Sequence, residues 1–192
     1  MNDIQSILSI AKRTLETESK AIQNLVNLLD EQFAHAVQHI LDSKGRVVVS
    51  GVGKSAIIAS KIVATLNSTG TPSIFMHAAD AIHGDLGTIQ ENDVVICISK
   101  SGNTPEIKAL LPLIKIAKNK LIGITGNMDS LLAKQADFAL STFVEKEACP
   151  NNLAPTTSTS AQLAMGDALA ISLLELRGFS SADYAKYLPG GA

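Results

Sequence analysis

The chain has 192 residues, of which 46% are hydrophobic, 18% charged and 4% aromatic, with no Trp and two Cys. This length suits one domain with a full core, and two cysteines are too few for a disulfide framework or a four-cysteine zinc site. A formal charge of −2 from 16 basic and 18 acidic residues, with no basic tail and no aromatic stacking platform, argues against nucleic acid or a membrane surface as the partner.

Residues 2–43 read as amphipathic helix, and N-terminal helices are expected beside the domain. Ile22, Leu25, Val26, Leu29, Phe33, Ala36, Val37 and Ile40 recur at helical spacing, and Gly45 follows as a stop. The acids in this stretch distinguish it from a signal peptide, and no apolar run approaches the ~20 residues of a membrane span. The expected location is the cytoplasm. Five β-branched runs follow, at 46–50, 72–76, 93–98, 121–125 and 137–140, with helical stretches at 54–67, 105–118 and 129–135 between them. The runs are apolar on both faces, as buried parallel strands are. The alternation predicts a doubly wound α/β fold, a five-stranded parallel sheet flanked by helices. The stretch 157–177 is apolar almost all round, which predicts a helix in the core and at a subunit interface. Residues 1–45 are expected to be an N-terminal helical region packing on the domain and on neighbouring subunits, and 46–192 the α/β domain proper. The apolar excess, with charged residues below the usual ~25%, predicts an oligomer.

Ligands of open α/β sheets sit outside the carboxyl ends of the strands. Those ends here are small, polar and glycine-rich. Gly51-Val52-Gly53-Lys54-Ser55-Ala56 fits a loose dinucleotide pattern, G-x-G-x-x-A. The acid expected at the end of the next strand is missing, and Val48 stands where a P-loop needs its first glycine. A tight strand–helix turn and a small phosphate site are the two readings left. Lys54 favours the second, as a cation beside a helix N-terminus. Ser99-Lys100-Ser101-Gly102-Asn103-Thr104-Pro105-Glu106 is more specific. Thr104, Pro105 and Glu106 are N-cap, first-turn and dipole residues, but Ser99, Ser101 and Gly102 are those of a phosphate cradle.

His83, in the two-glycine loop His83-Gly84-Asp85-Leu86-Gly87, is a candidate proton carrier. His77 reads as a metal ligand or a strand-end cap. Ala154 to Ser160 is a hydroxyl-rich loop and N-cap that can add to the phosphate site. Taken alone, Glu147 reads as a solvated charge, Cys149 has no activating partner, and His35 and His39 are surface residues.

Together these motifs resemble the sugar isomerase (SIS) domain, over nearly the whole chain. Within it, Gly51–Ser55, Ser68–Ser73, His83–Gly87, Lys146–Pro150, Leu153–Thr156, Met165–Leu169 and Pro189–Ala192 resemble the arabinose 5-phosphate isomerase family. The resemblance implies interconversion of D-ribulose 5-phosphate and D-arabinose 5-phosphate through an enediolate, feeding synthesis of the Kdo sugar of lipopolysaccharide or capsule. It implies catalytic roles for Lys54, His83, Glu106 and Glu147, and substrate contacts from Gly70, Thr71 and His83. His77 would hold an inhibitory zinc, and no cofactor would be required. Joined to the motifs above, the candidate substrate-binding set is Ser50, Gly51, Gly53, Ser55, Gly70, Thr71, His83, Ser99, Ser101, Gly102, Asn103, Thr104, Thr156 and Thr157. A homo-oligomer is expected, a tetramer by preference, and no CBS modules. One departure stands out, since Leu188 occupies the position of a family His. The rival readings are an isomerase for another phosphosugar, such as sedoheptulose 7-phosphate or a hexulose 6-phosphate, a non-catalytic phosphosugar-binding regulator, and a nucleotide-binding oxidoreductase.

Overall fold

A computed structural model describes residues 3–180 and Asp183. The expected N-terminal helices are present as two: α1 (Ile4–Leu28) and α2 (Glu31–Asp42). Leu29 is extended, and the Asp30 carboxylate accepts from Gln32 N at 2.9 Å. This local bond starts a new helix where the apolar spacing alone would continue the old one. The spacing runs unbroken through the turn because both helices face inward, burying Leu25 from α1 and Ala36, Val37 and Ile40 from α2.

The five strands start and end within one residue of the predicted runs. They are β1 (Val47–Gly51), β2 (Ser73–His77), β3 (Val94–Ser99), β4 (Lys120–Thr125) and β5 (Phe138–Ser141), all parallel in the order β2-β1-β3-β4-β5. Between and after them lie α3 (Lys54–Ser68), α4 (Ala78–Ala81), α5 (Pro105–Ala117), α6 (Leu131–Gln135) and α7 (Thr157–Leu176). The loop expected at His83–Gly87 carries a 3-10 turn over Asp85–Thr88, and the short α4 precedes it.

Alternating side chains divide the sheet between two cores. Val47, Val49, Ile96, Ile98, Ile122 and Ile124 pack with α1, α2, α3 and α7. Val48, Val95, Cys97 and Leu121 pack with α4, α5 and α6. On the first side α3 and α7 approach so closely that a Cβ on Gly166 would overlap Ile62. At the amino edge Arg46 Nη2 donates to Asp93 Oδ2 at 2.9 Å, and Arg46 N to Asp93 Oδ1 at 2.8 Å, fastening the start of β1 to the start of β3. α1 is different. Leu25 is its only buried side chain, while Ile4, Ile7, Leu8, Leu15, Ile22 and Val26 are exposed.

The strand order fixes where a ligand can sit. The crossover from β1 runs through α3 on one face, and that from β3 runs through α5 on the other. The neighbouring carboxyl ends of β1 and β3 therefore open a crevice, the switch point of a 2-1-3-4-5 sheet.

Candidate active site

At the end of β1, a Cβ on Gly51 would lie 3.0 Å from the Ser55 carbonyl. Glycine thus lets the first turn of α3 close against the strand. Gly53 occupies the N-cap of α3 and offers no side chain to its first amides, which face the crevice with Lys54 and Ser55. At the end of β3, Ser99 is buried. Its Oγ accepts from Gly102 N at 3.1 Å and lies 3.5 Å from Thr104 Oγ1. Gly102 has φ +63°, and a Cβ there would overlap Ser130 Oγ, so both backbone and space demand glycine. Ser101 Oγ accepts from Asn103 N at 3.2 Å. Thr104 is the N-cap of α5 as expected, but its hydroxyl makes no cap bond.

These residues line a cavity of about 250 Å³, formed by Val52, Lys54, Ser55, Ile98, Ser99, Lys100, Ser101, Thr104, Pro155, Ser158, Thr159 and Gln162. It lies below the ~300–1,000 Å³ of drug-sized pockets, in keeping with a small ligand. The amino termini of α3, α5 and α7 converge on it, each carrying partial positive charge. Gln162 is buried, and its Oε1 accepts from Ser55 Oγ at 3.1 Å, joining α7 to α3 across one wall.

Glu147 overturns the reading of a solvated charge. It is 2% exposed. Its Oε1 accepts from Lys100 Nζ at 2.6 Å and Ser158 Oγ at 2.5 Å, and its Oε2 from Thr156 N at 2.9 Å and Ser158 N at 3.1 Å. The carboxylate thus caps α7, whose N-cap Thr156 makes no side-chain cap bond of its own. Burial pushes the Glu147 carboxyl pKa up, but Lys100, Ser158 and the two amides outweigh burial and hold it at about 2. Cys149 also departs from expectation. Its Sγ accepts from Leu153 N and Ala154 N at 3.1 Å each; the Ala154 amide, against a smaller effect of burial, leads in holding the thiol below its ordinary range.

Of the residues singled out in the sequence, the fold brings Lys54, Ser55, Ser99, Ser101 and Thr104 to the cavity. Others go elsewhere. Ser50 is fully buried in β1 with its Oγ unpartnered. The Asn103 Oδ1 accepts from Leu131 N at 3.0 Å and so fastens the loop to α6. Thr156 Oγ1 accepts from Ala148 N at 3.0 Å. Gly70 and Thr71 lie at the opposite edge of the sheet, because β2 starts beside Val47 at the amino end of β1. The Thr157 hydroxyl is buried and unpartnered, and Thr157 lines a separate cavity with Thr17, Lys20 and Asn24 of α1. Glu106 is half-buried in the first turn of α5, and His83 is exposed beyond α4; neither lines the cavity.

His77 ends β2 beside Gly51, its Nδ1 buried and 3.7 Å from Asp80 Oδ2. Among the described residues no three His, Cys, Asp or Glu side chains gather to hold a metal. The described residues of one chain therefore do not by themselves supply the four ligands of a tetrahedral zinc site. Leu188 lies outside the described residues, as does the Pro189–Ala192 block. Among the described residues no helix is long and apolar enough to cross a membrane.

Sequence reasoning passed over Lys100 and Gln162. Lys100 had a visible signal, a cation between two serines at the carboxyl end of a strand. Gln162 had none, since a glutamine within an apolar helix marks nothing until α3 is seen beside it.

The model of the SIS domain family matches residues 39–172. The chain is 53% identical over 182 residues to the Pseudomonas aeruginosa arabinose 5-phosphate isomerase KdsD, covering 95% of this chain and 56% of that protein. It is 49% identical over 187 residues to the arabinose 5-phosphate isomerase KpsF of Escherichia coli O6:H1, covering 97% of this chain and 57% of that one. The chain thus spans about half the length of the curated relatives it matches. Among solved structures, E. coli CFT073 c3406 in complex with arabinose 5-phosphate superposes with a TM-score of 0.94 at 41% identity, covering 98% of this chain and 100% of that one.

Proposed function

The chain belongs to the SIS domain family, and from that membership we propose that it is an aldose–ketose isomerase interconverting D-ribulose 5-phosphate and D-arabinose 5-phosphate. The observation that carries this reading is the cavity at the switch point, where the Ser99–Thr104 loop, Lys54 and three helix starts converge. The loop anchors the remote phosphate, and that binding energy positions the reacting carbons. A base removes the proton from the carbon next to the carbonyl, that C–H electron pair forms a carbon–carbon double bond, and the carbonyl π pair moves onto its oxygen, giving an enediolate. The former carbonyl carbon then takes the proton back, while the hydroxyl on the neighbouring carbon gives its proton to the negative oxygen and becomes the new carbonyl. The Lys54 ammonium stabilises the negative oxygen. Glu106 and His83 are the acid–base pair, with His83 entering from a neighbouring copy because it stands away from the cavity of its own chain.

The working form is a cytoplasmic homotetramer. It is held in part by the exposed apolar side of α1 and needs no cofactor. Zinc at His77 would inhibit, and no step passes through it. The product would supply synthesis of Kdo for lipopolysaccharide or capsule.

One observation favours a second reading. Leu188 stands where the family carries a His, and leucine moves no proton. On that reading the protein binds the phosphosugar and regulates. A coupled assay of D-ribulose 5-phosphate conversion, with and without chelator, separates the two. Turnover in the ordinary range of about 1–10³ s⁻¹ supports the isomerase. Thermal stabilisation by the sugar phosphate without turnover supports the regulator.

A further inference from the structure

We propose that Lys100 is a second cation of the anion site and that Glu147 is a positioning residue which holds it there, not an acid–base group. The inference rests on the cavity being a phosphosugar site, and goes beyond it by adding a binding residue and reassigning another.

A carboxylate offers about four lone-pair sites. In Glu147 four donors within 3.1 Å take them, Lys100 Nζ, Ser158 Oγ, Thr156 N and Ser158 N, and a fifth, Thr156 Oγ1, stands 3.4 Å from Oε2. Its side chain has no exposed surface. A general base must reach the proton it removes to within about 2.6–3.2 Å, and Glu147 has neither a free lone pair nor an opening toward the cavity. Its depressed pKa points the same way.

Lys100 is the opposite case. Its ammonium has three hydrogens, Glu147 is its one partner among the described residues, and the side chain is 46% exposed. Its carbonyl is pinned by Gly126 N at 3.0 Å and Thr125 Oγ1 at 3.3 Å, and the residue lines the cavity between Ser99 and Ser101. A lysine is a flexible point charge. Tying its head to a buried carboxylate removes that freedom before the ligand arrives, which is how preorganisation raises affinity. Lys54, Lys100 and three helix starts against one carboxylate suit a phosphate monoester dianion.

The test uses the full chain, with inorganic phosphate as the calorimetric probe and steady-state kinetics alongside. Lys100→Met is expected to weaken phosphate binding and lower kcat/KM by about tenfold or more, the scale of one charge-assisted bond. Lys100→Arg restores most of the affinity. Glu147→Gln weakens phosphate as Lys100→Met does and leaves the acid limb of the kcat–pH profile in place. Unchanged phosphate affinity in Lys100→Met overturns the proposal, as does a Glu147→Gln protein that binds phosphate normally but loses turnover. If Glu147→Gln does not fold, Lys100→Met decides alone, since its side chain is half exposed. A wild type without turnover that still shows the calorimetric differences sinks the isomerase reading and leaves this one standing.

Discussion

Ser55 Oγ donates to Gln162 Oε1 at 3.1 Å across 107 positions of sequence. The bond ties the first turn of α3 to α7 at the cavity wall. Its two ends are unequal, because Gln162 is 1% exposed whereas Ser55 is half-buried. Removing the hydroxyl strands a buried carbonyl, and removing the carbonyl leaves a hydroxyl that water can reach. Ser55→Ala should therefore cost about 1–3 kcal/mol and Gln162→Met about 1 kcal/mol or less. Urea unfolding of both variants and the double variant checks this, and the double should cost less than the sum of the singles.

Glu147 gives the protein an acid-labile element. Its folded pKa of about 2 lies below the ordinary 4.5, so the stabilisation is complete above about pH 4.5 and drains away as pH falls toward 2. The amount is on the order of 3 kcal/mol. Urea midpoints from pH 7 down to 3 should fall more steeply for wild type than for Glu147→Gln, and parallel curves would remove the carboxylate from the account.

Gly102→Ala should damage the cradle and the fold together. The positive φ disfavours any Cβ, and that Cβ overlaps Ser130 Oγ and stands 2.8 Å from Thr125 Oγ1. A loss of about 1–3 kcal/mol is expected from the backbone alone, with weaker phosphate binding. Adding Ser130→Gly relieves the overlap but not the φ, so melting and calorimetry of the pair should show partial recovery only.

The exposed side of α1 is expected to join copies of the chain. Leu15 is 68% exposed, so Leu15→Glu leaves the monomer's core untouched and places a charge in an apolar contact. Light scattering should report a smaller assembly at unchanged helical content. An unchanged mass would exclude this part of α1 from the interface.

The strands were legible because parallel strands buried on both faces read as apolar β-branched runs, and Val47–Val49 and Val94–Ile98 do so. The break between α1 and α2 was not, because Leu29 and Phe33 keep helical spacing while the Asp30 carboxylate turns the chain. The cradle was legible from Ser99 to Thr104, where the hydroxyls of Ser99 and Ser101 bond within the loop. Glu147 was opaque for the opposite reason. Its neighbours in sequence are Lys146 and Ala148, whereas its bonding partners Lys100 and Ser158 stand 47 and 11 positions away. Gly70 and Thr71 matched a family pattern, but α3 carries them from one end of the sheet to the other.

The strand order bears on how the chain is made. β1 is the first strand synthesised, yet it lies inside the sheet, with Val47 flanked by Ser73 on one side and Val94 on the other. Half of its hydrogen-bonding edge has no partner until more than forty further residues have left the ribosome. Nascent chains that stop short of Ser99 would carry an apolar strand with one open edge, the kind of surface on which unfinished proteins associate.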